Sequence, residues 1–349
     1  MSLRMLIKFS LGLTFIVILL GAYTRLADAG LGCPDWPGCY GQLTVPNDTQ
    51  EIALAKSLYP SLTVEADKAW LEMIHRYFAG TLGLVVFAIT FVGIRTKQLP
   101  VLLAVGLSAT IVFQALLGMW TVTMMLMPII VMGHLLGGFT LFSLLALSLW
   151  KVQQQANEKI TLPNLVGLKV IAAVAFIVVV LQIALGGWTS SNYAALMCTT
   201  LPICQGDWVS HLDFERAFEI IQPERETYEF GTLDYGARMT IHVSHRVGAA
   251  VVAVVIACFA FLLFSKHRRF HAAAKTLILM LLLQIGLGVG NVLFSLPLAI
   301  AVAHNLGAAL LLLTVLRANY LVWYLSATQV RTETPPHVTA KKSKESVYE

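Results

Sequence analysis

The sequence predicts an all-α integral membrane protein, with eight transmembrane helices arranged as two parallel-repeat four-helix bundles. Three observations carry that expectation. Hydrophobic residues make up 57% of the 349 and charged residues only 12%, with a mean hydropathy of +0.75, far from the makeup of a water-soluble domain. Eight apolar windows each supply the roughly 20 helical residues that a bilayer core requires. The chain also repeats itself, with matched motifs in its two halves.

The windows fall at 5–22, 75–96, 100–121, 128–150, 165–187, 240–264, 274–294 and 297–325. Helices are the expected form, because an open strand would leave its backbone polar groups unpaired in lipid. The first window, followed by "ILLGAYTRLADAG", reads as a retained span rather than a removed signal peptide. Lysine and arginine set the orientation. Arg4 and Lys8 lie at the first span, Arg95 and Lys97 between spans two and three, and Lys151 and Lys159 between four and five. Lys266, Arg268, Arg269 and Lys275 lie between six and seven, and Lys341, Lys342 and Lys344 in the tail. The positive-inside rule makes all of these cytoplasmic, with both termini inside. The net charge of +5 follows from this topology, and nothing suggests nucleic-acid binding.

The repeat is legible in four places. "GAYTRLADAGLGCPDWPGCYG" (21–41) lies over "GGWTSSNYAALMCTTLPICQG" (186–206) at an offset of 165 residues. "HRYFAGTLGLVV" lies over "HRVGAAVVAVVI", "FQALLGMWTV" over "LQIGLGVGNV", and "VMGHLLGG" over "AVAHNLGA", at an offset of 170. Four spans return a chain to its starting side, so the halves share one orientation. The expected units are residues 1–150, a cytoplasmic linker at 151–164, residues 165–325, and a disordered cytoplasmic tail at 326–349.

Of nine histidines, four form repeat-matched pairs: His75 with His245 and His134 with His304, separated by 59 residues within each half. With the N-terminus inside, all four start even-numbered spans at one outer depth. Two imidazoles facing each other inside a four-helix unit suit the axial positions of a haem iron. Arg76 and Arg246 follow the first histidine of each pair, where a guanidinium could meet a haem propionate. The alternative is that the histidines only hydrogen-bond helices together. His242 stands apart, and His211, His267, His271 and His337 are expected to be solvated in loops or the tail.

The halves disagree at one informative position. Glu72 lies three residues before His75, on the same helix face, and its counterpart is His242. A carboxylate there can act as a base or stabilise developing positive charge; equally, it can cap or solvate the start of the helix. Cys33 with Cys39, and Cys198 with Cys204, fall in the outer loops after the first span of each half, and read either as disulfides or as redox-active pairs. No C-x-x-C-H run supports covalent haem attachment. Cys258, mid-membrane, is expected to be packed. The outer loops 42–71 and 207–238 leave open whether short helices lie over the histidines.

Together "TRLADAGLGCPDWPGC", "EMIHR", "GHLLGG", "HVSHR" and "AHNLGA" resemble the haem A synthase family, across about residues 5–325. The resemblance implies a membrane enzyme that acts after haem O synthase and oxidises the C8 methyl group of haem O to a formyl group, with oxygen from water. It implies that His75 and His134 bracket the substrate haem O, that His245 and His304 ligate the iron of a resident haem b, and that Glu72 is the functional acid. Cys33 and Cys39 match the family's outer-loop pair. Electrons would leave through the second half to an acceptor the residues do not name; homo-oligomerisation stays open. Two rivals remain, a diheme b-type electron-transfer cytochrome and a transporter built on parallel repeats. Histidine pairs at one outer depth suit neither transmembrane electron transfer nor a site at the midplane.

Overall fold

The structure, a computed structural model, describes residues 2–154, Leu162 and residues 165–326. Most of the expected linker and the expected tail, with Lys159, His337, Lys341, Lys342 and Lys344, lie outside the described residues. Ten α-helices run through the described part, and eight of them are long and apolar enough to cross a membrane. These eight are α1 (Leu3–Leu26), α3 (Ala66–Arg95), α4 (Val101–Thr123), α5 (Pro128–Gln154), α6 (Val166–Ser191), α8 (Tyr235–Lys266), α9 (His271–Leu293) and α10 (Leu298–Ser326). Two shorter ones, α2 (Thr49–Leu58) and α7 (Phe214–Ala217), lie in the loops after α1 and α6. The chain is a multi-pass membrane protein.

Local chemistry sets the helix ends. Ser2 accepts the Met5 N–H to cap α1, Asp48 accepts the Gln50 and Glu51 N–H groups to cap α2, and Asp234 accepts the Ala237 N–H to cap α8. Pro128 opens α5, where its missing N–H would have had no helical partner. Hydropathy places three boundaries wrongly, for a shared reason: a helix can outrun the bilayer. The α3 helix begins nine residues before the apolar window and α8 five before, so His75 and His245 lie well inside their helices rather than in the first turn. The α5 helix continues through Lys151 to Gln154, into the expected linker.

Two turns reverse the chain by the same device. Met125 and Leu126 after α4, and Ser295 and Leu296 after α9, all have positive φ (51° and 63°, then 56° and 63°). Each such non-glycine residue costs about 1–2 kcal/mol. The turn in return donates Leu126 N–H to Thr121 O at 2.8 Å and Leu296 N–H to Asn291 O at 2.7 Å, pairing carbonyls at the helix ends.

Helices α1, α3, α4 and α5 pack as one closed set of four, and α6, α8, α9 and α10 as another; α5 and α6, α1 and α10, and α5 and α10 meet along the seam. Ile7, Leu82, Val86, Leu107 and Leu145 fill the first interior, and Ile256, Phe259, Leu277, Val315 and Val322 the second. Outward positions are apolar as well: Leu102 is 86% exposed and Phe261 69%, as expected where the neighbour is hydrocarbon. Cys258 belongs to this outer set. It is exposed, correcting the expectation that it packs inside: the buried stripe of α8 runs through Val252, Ile256, Phe259 and Leu263, and Cys258 falls off it.

Candidate active site

Each candidate histidine sits on a glycine of the preceding long helix. A Cβ at Gly21 would lie 2.8 Å from His75 Cε1, at Gly118 3.3 Å from His134 Cε1, at Gly186 3.1 Å from His245 Cε1, and at Gly288 3.2 Å from His304 Cε1. Only a residue without a side chain lets an imidazole lie that close to the neighbouring helix. The rings of His75 and His134 face each other across the first bundle, with centroids 6.4 Å apart and planes at 82°. His245 and His304 come within electrostatic range of each other in the second.

All four are half-buried, and Nδ1 of His75, His134 and His304 is buried without a protein partner. A buried polar atom left unpaired points to a missing partner. The 6.4 Å between the ring centroids of His75 and His134 leaves room for one metal centre between them. Paired imidazoles from separate helices, over glycine floors and with unpaired ring nitrogens, therefore fit the axial positions of a haem iron.

Next to these rings the loops that follow α1 and α6 are clamped down by the residues that precede and follow each first histidine. Glu72 is buried, not solvated, and does not cap the start of α3. Its Oε2 accepts the Cys33 N–H at 2.9 Å and its Oε1 accepts from the Arg76 guanidinium at 2.5 Å. Arg76 in turn donates to the carbonyls of Asp35, Pro37 and Gly38. One ion pair thus fastens the loop closed by the Cys33–Cys39 disulfide, and Tyr40, Val45, Ala55, Ala69 and Met73 pack beneath it. Burial pushes the Tyr40 hydroxyl above its ordinary pKa.

The second half holds its loop with different chemistry at the same positions. His242 Nδ1 lies 2.9 Å from Ala194 O. Arg246 donates to Cys198 O at 2.6 Å, Thr200 O at 2.8 Å and Cys198 Sγ at 3.1 Å, over a loop closed by the Cys198–Cys204 disulfide. Both guanidiniums therefore engage loop backbone, a role that the propionate reading did not foresee. Arg246 Nε keeps no protein partner. His271 is not simply solvated: it stacks on Phe264 at 4.1 Å, with Nε2 3.0 Å from the Phe264 carbonyl.

Sequence reasoning also missed four polar residues. Gln114, Gln182 and Gln284 lie beside the histidines, each four residues before one of the floor glycines; that shared Gln-x-x-x-Gly spacing could have found them. Arg25 spans the seam, donating to Tyr193 OH and Ser190 O, both at 2.9 Å, and no motif signals it.

The family model described as cytochrome oxidase assembly protein (COX15-CtaA) matches residues 4–316. A protein named heme A synthase from Shewanella oneidensis is 50% identical over 333 residues, covering 95% of this chain and all of its own. Proteins of the same name from Caulobacter sp. and Mesorhizobium japonicum are each 27% identical, covering 86% and 88% of this chain and 90% and 86% of their own.

Proposed function

The chain belongs to the cytochrome oxidase assembly protein family, and from that membership we propose that it is an oxidoreductase of haem A biosynthesis that converts the C8 methyl group of haem O to a formyl group. The observation that carries the reading is the facing pair His75 and His134 with the buried Glu72 one helical turn away. The conversion takes one water and releases four electrons and four protons for each methyl group that becomes a formyl group. His245 and His304 would hold a haem b in the second half, which would supply one-electron transfer towards an acceptor outside the chain.

The two halves act as parallel repeats with divided labour. In the first, residues 1–150, His75 and His134 hold and orient haem O, and its farnesyl tail lies among apolar side chains facing lipid. Glu72 either takes a proton from the attacking water or steadies positive charge at the reacting carbon. Arg76 holds that carboxylate in place while clamping the loop that keeps bulk water from it. In the second half, residues 165–325, Arg246 has a spare Nε donor for a propionate and His242 fixes the loop without a carboxylate. Both termini lie in the cytoplasm of a cell whose inner membrane the chain spans, with both sites toward the outer face; haem O synthase supplies the substrate.

Haem extraction from cells producing this chain together with a haem O source tests the reading. Haem A or hydroxylated haem O supports it. Haem B alone would mean an electron-transfer cytochrome, and no haem at all a transporter.

A further inference from the structure

Carboxylates gather at one end of the helices. Among the described residues every one of them lies at the end that carries the disulfide loops, between Asp28 and Glu72 or between Asp207 and Asp234. Lys151, Lys169 and Arg317 lie at the opposite end, where α5 finishes, α6 begins and α10 nears its end. None of the three forms an ion pair with a described carboxylate.

Aromatic rings gather these cations instead. The half-buried Arg317 guanidinium lies 5.0 Å over the Trp150 ring and 5.5 Å over that of Tyr320. Lys151 Nζ lies 5.9 Å over the same tyrosine, and Lys169 Nζ 4.9 Å over Trp323. Trp150 and Lys151 belong to the first helix set and the others to the second, so the group straddles the seam. A ring face attracts a cation, but it does not satisfy the N–H donors along the guanidinium edge. Tyr324 stacks on Tyr320 at 6.1 Å, and its buried hydroxyl has no partner. A buried polar atom in that state points to a missing partner.

We propose that this cluster binds the headgroup of an anionic diacyl phospholipid, seated across the seam between the two helix sets. The phosphodiester supplies the missing negative charge, with acceptor oxygens for Arg317, Lys151, Lys169 and the Tyr324 hydroxyl. The surroundings select a lipid over a soluble anion. Val166 and Val170, one turn apart beside Lys169, are 68% and 60% exposed, and Trp323 is 52% exposed, so acyl chains meet apolar surface next to the cations. Basic pockets between helices at the end of a membrane span recognise such headgroups.

Native mass spectrometry tests the proposal on the purified full chain, stripped of lipid in detergent and resupplied with phosphatidylglycerol or phosphatidylcholine. Phosphatidylglycerol should be retained at least about tenfold better, and K151Q/K169Q should lower that retention by at least about tenfold. The far-UV circular dichroism of K151Q/K169Q should be unchanged, separating loss of lipid from loss of fold. R317K, which keeps the charge but not the planar fork, should also retain less. Equal retention of the two lipids, or wild-type retention in K151Q/K169Q, would overturn the inference. So would glycerol phosphate competing as well as the intact lipid, which would mean a soluble phosphate ligand. Retention that appears only in Glu158→Gln would mean that an acid of the chain itself fills the site, and would overturn it too.

Discussion

Glu72 shows how much chemistry one residue can be asked to do. It is buried, it accepts the Cys33 N–H, and it pairs with Arg76 in a setting where neither side chain is more than 12% exposed. Removing one partner of such a pair leaves an uncompensated charge and costs on the order of 3–5 kcal/mol. Glu72→Ala should therefore destabilise the protein by about that much, read by chemical unfolding in detergent, through loss of the loop that follows α1. Glu72→Gln keeps an oxygen for the Cys33 N–H and should retain most of the stability. If the carboxylate does the chemistry, it should nevertheless stop conversion of haem O, leaving bound substrate or a partly oxidised product. Full conversion by Glu72→Gln would reduce Glu72 to a loop fastener, the part His242 plays in the second half with a ring nitrogen on Ala194 O.

At the scale of elements, the helices bring the imidazoles together only because glycines floor them. A methyl group on Gly21 would meet His75 Cε1 at 2.8 Å, closer than real carbon contacts allow, so Gly21→Ala should push the ring aside, costing about 1–3 kcal/mol and haem binding in the first half. Gly106 on α4 has nothing within 4 Å of where a Cβ would go. Gly106→Ala should be neutral or stabilising by about 0.5–1 kcal/mol, since a mid-helix glycine gains from the change. Absorption spectra and unfolding of the two variants, side by side, check both outcomes. The contrast also marks what a linear reading can reach. Eight spans, the histidine pairs and the Glu72 and His242 difference were legible, because hydrophobicity and repeat register are local properties of a string. The helical extension that carries Glu72 into α3 was not, because hydropathy reports the lipid boundary rather than the end of the backbone ladder. Arg76 and Arg246 were expected to meet propionates, and their hold on loop backbone was not legible because the loop carbonyls that engage them lie far off in sequence, 38 to 41 residues away for Arg76 and 46 to 48 for Arg246.

At the scale of the whole molecule, two four-helix sets must stay in register if electrons are to pass from one to the other. Phe139 and Phe142 of α5 reach into the apolar core of the second set, and where α1 and α6 end the seam is polar. There Glu229 lies near Lys68, Asp28 and Arg25, and burial raises its carboxyl above the usual range despite the lysine. A raised carboxyl pKa in the folded chain means that the folded state binds the proton more tightly, so this contribution is present at low pH and lost as pH rises through the raised value. Glu229→Gln should flatten that part of the stability profile at mildly acidic pH. Arg25 is the stronger fastening: it donates to Tyr193 OH and Ser190 O, lies 4.3 Å over the Tyr193 ring and 3.8 Å from Asp28, and is only 16% exposed. Hydrogen bonds from a charged donor contribute about 1.5–3 kcal/mol each, so Arg25→Ala should destabilise the folded chain by at least about 2 kcal/mol in denaturant titrations. Because the bond joins the halves rather than either histidine pair, the visible spectrum of each haem should persist while electron exchange between them slows. A spectrum that changes with Arg25→Ala, at unaltered stability, would place Arg25 inside a haem site instead of at the seam.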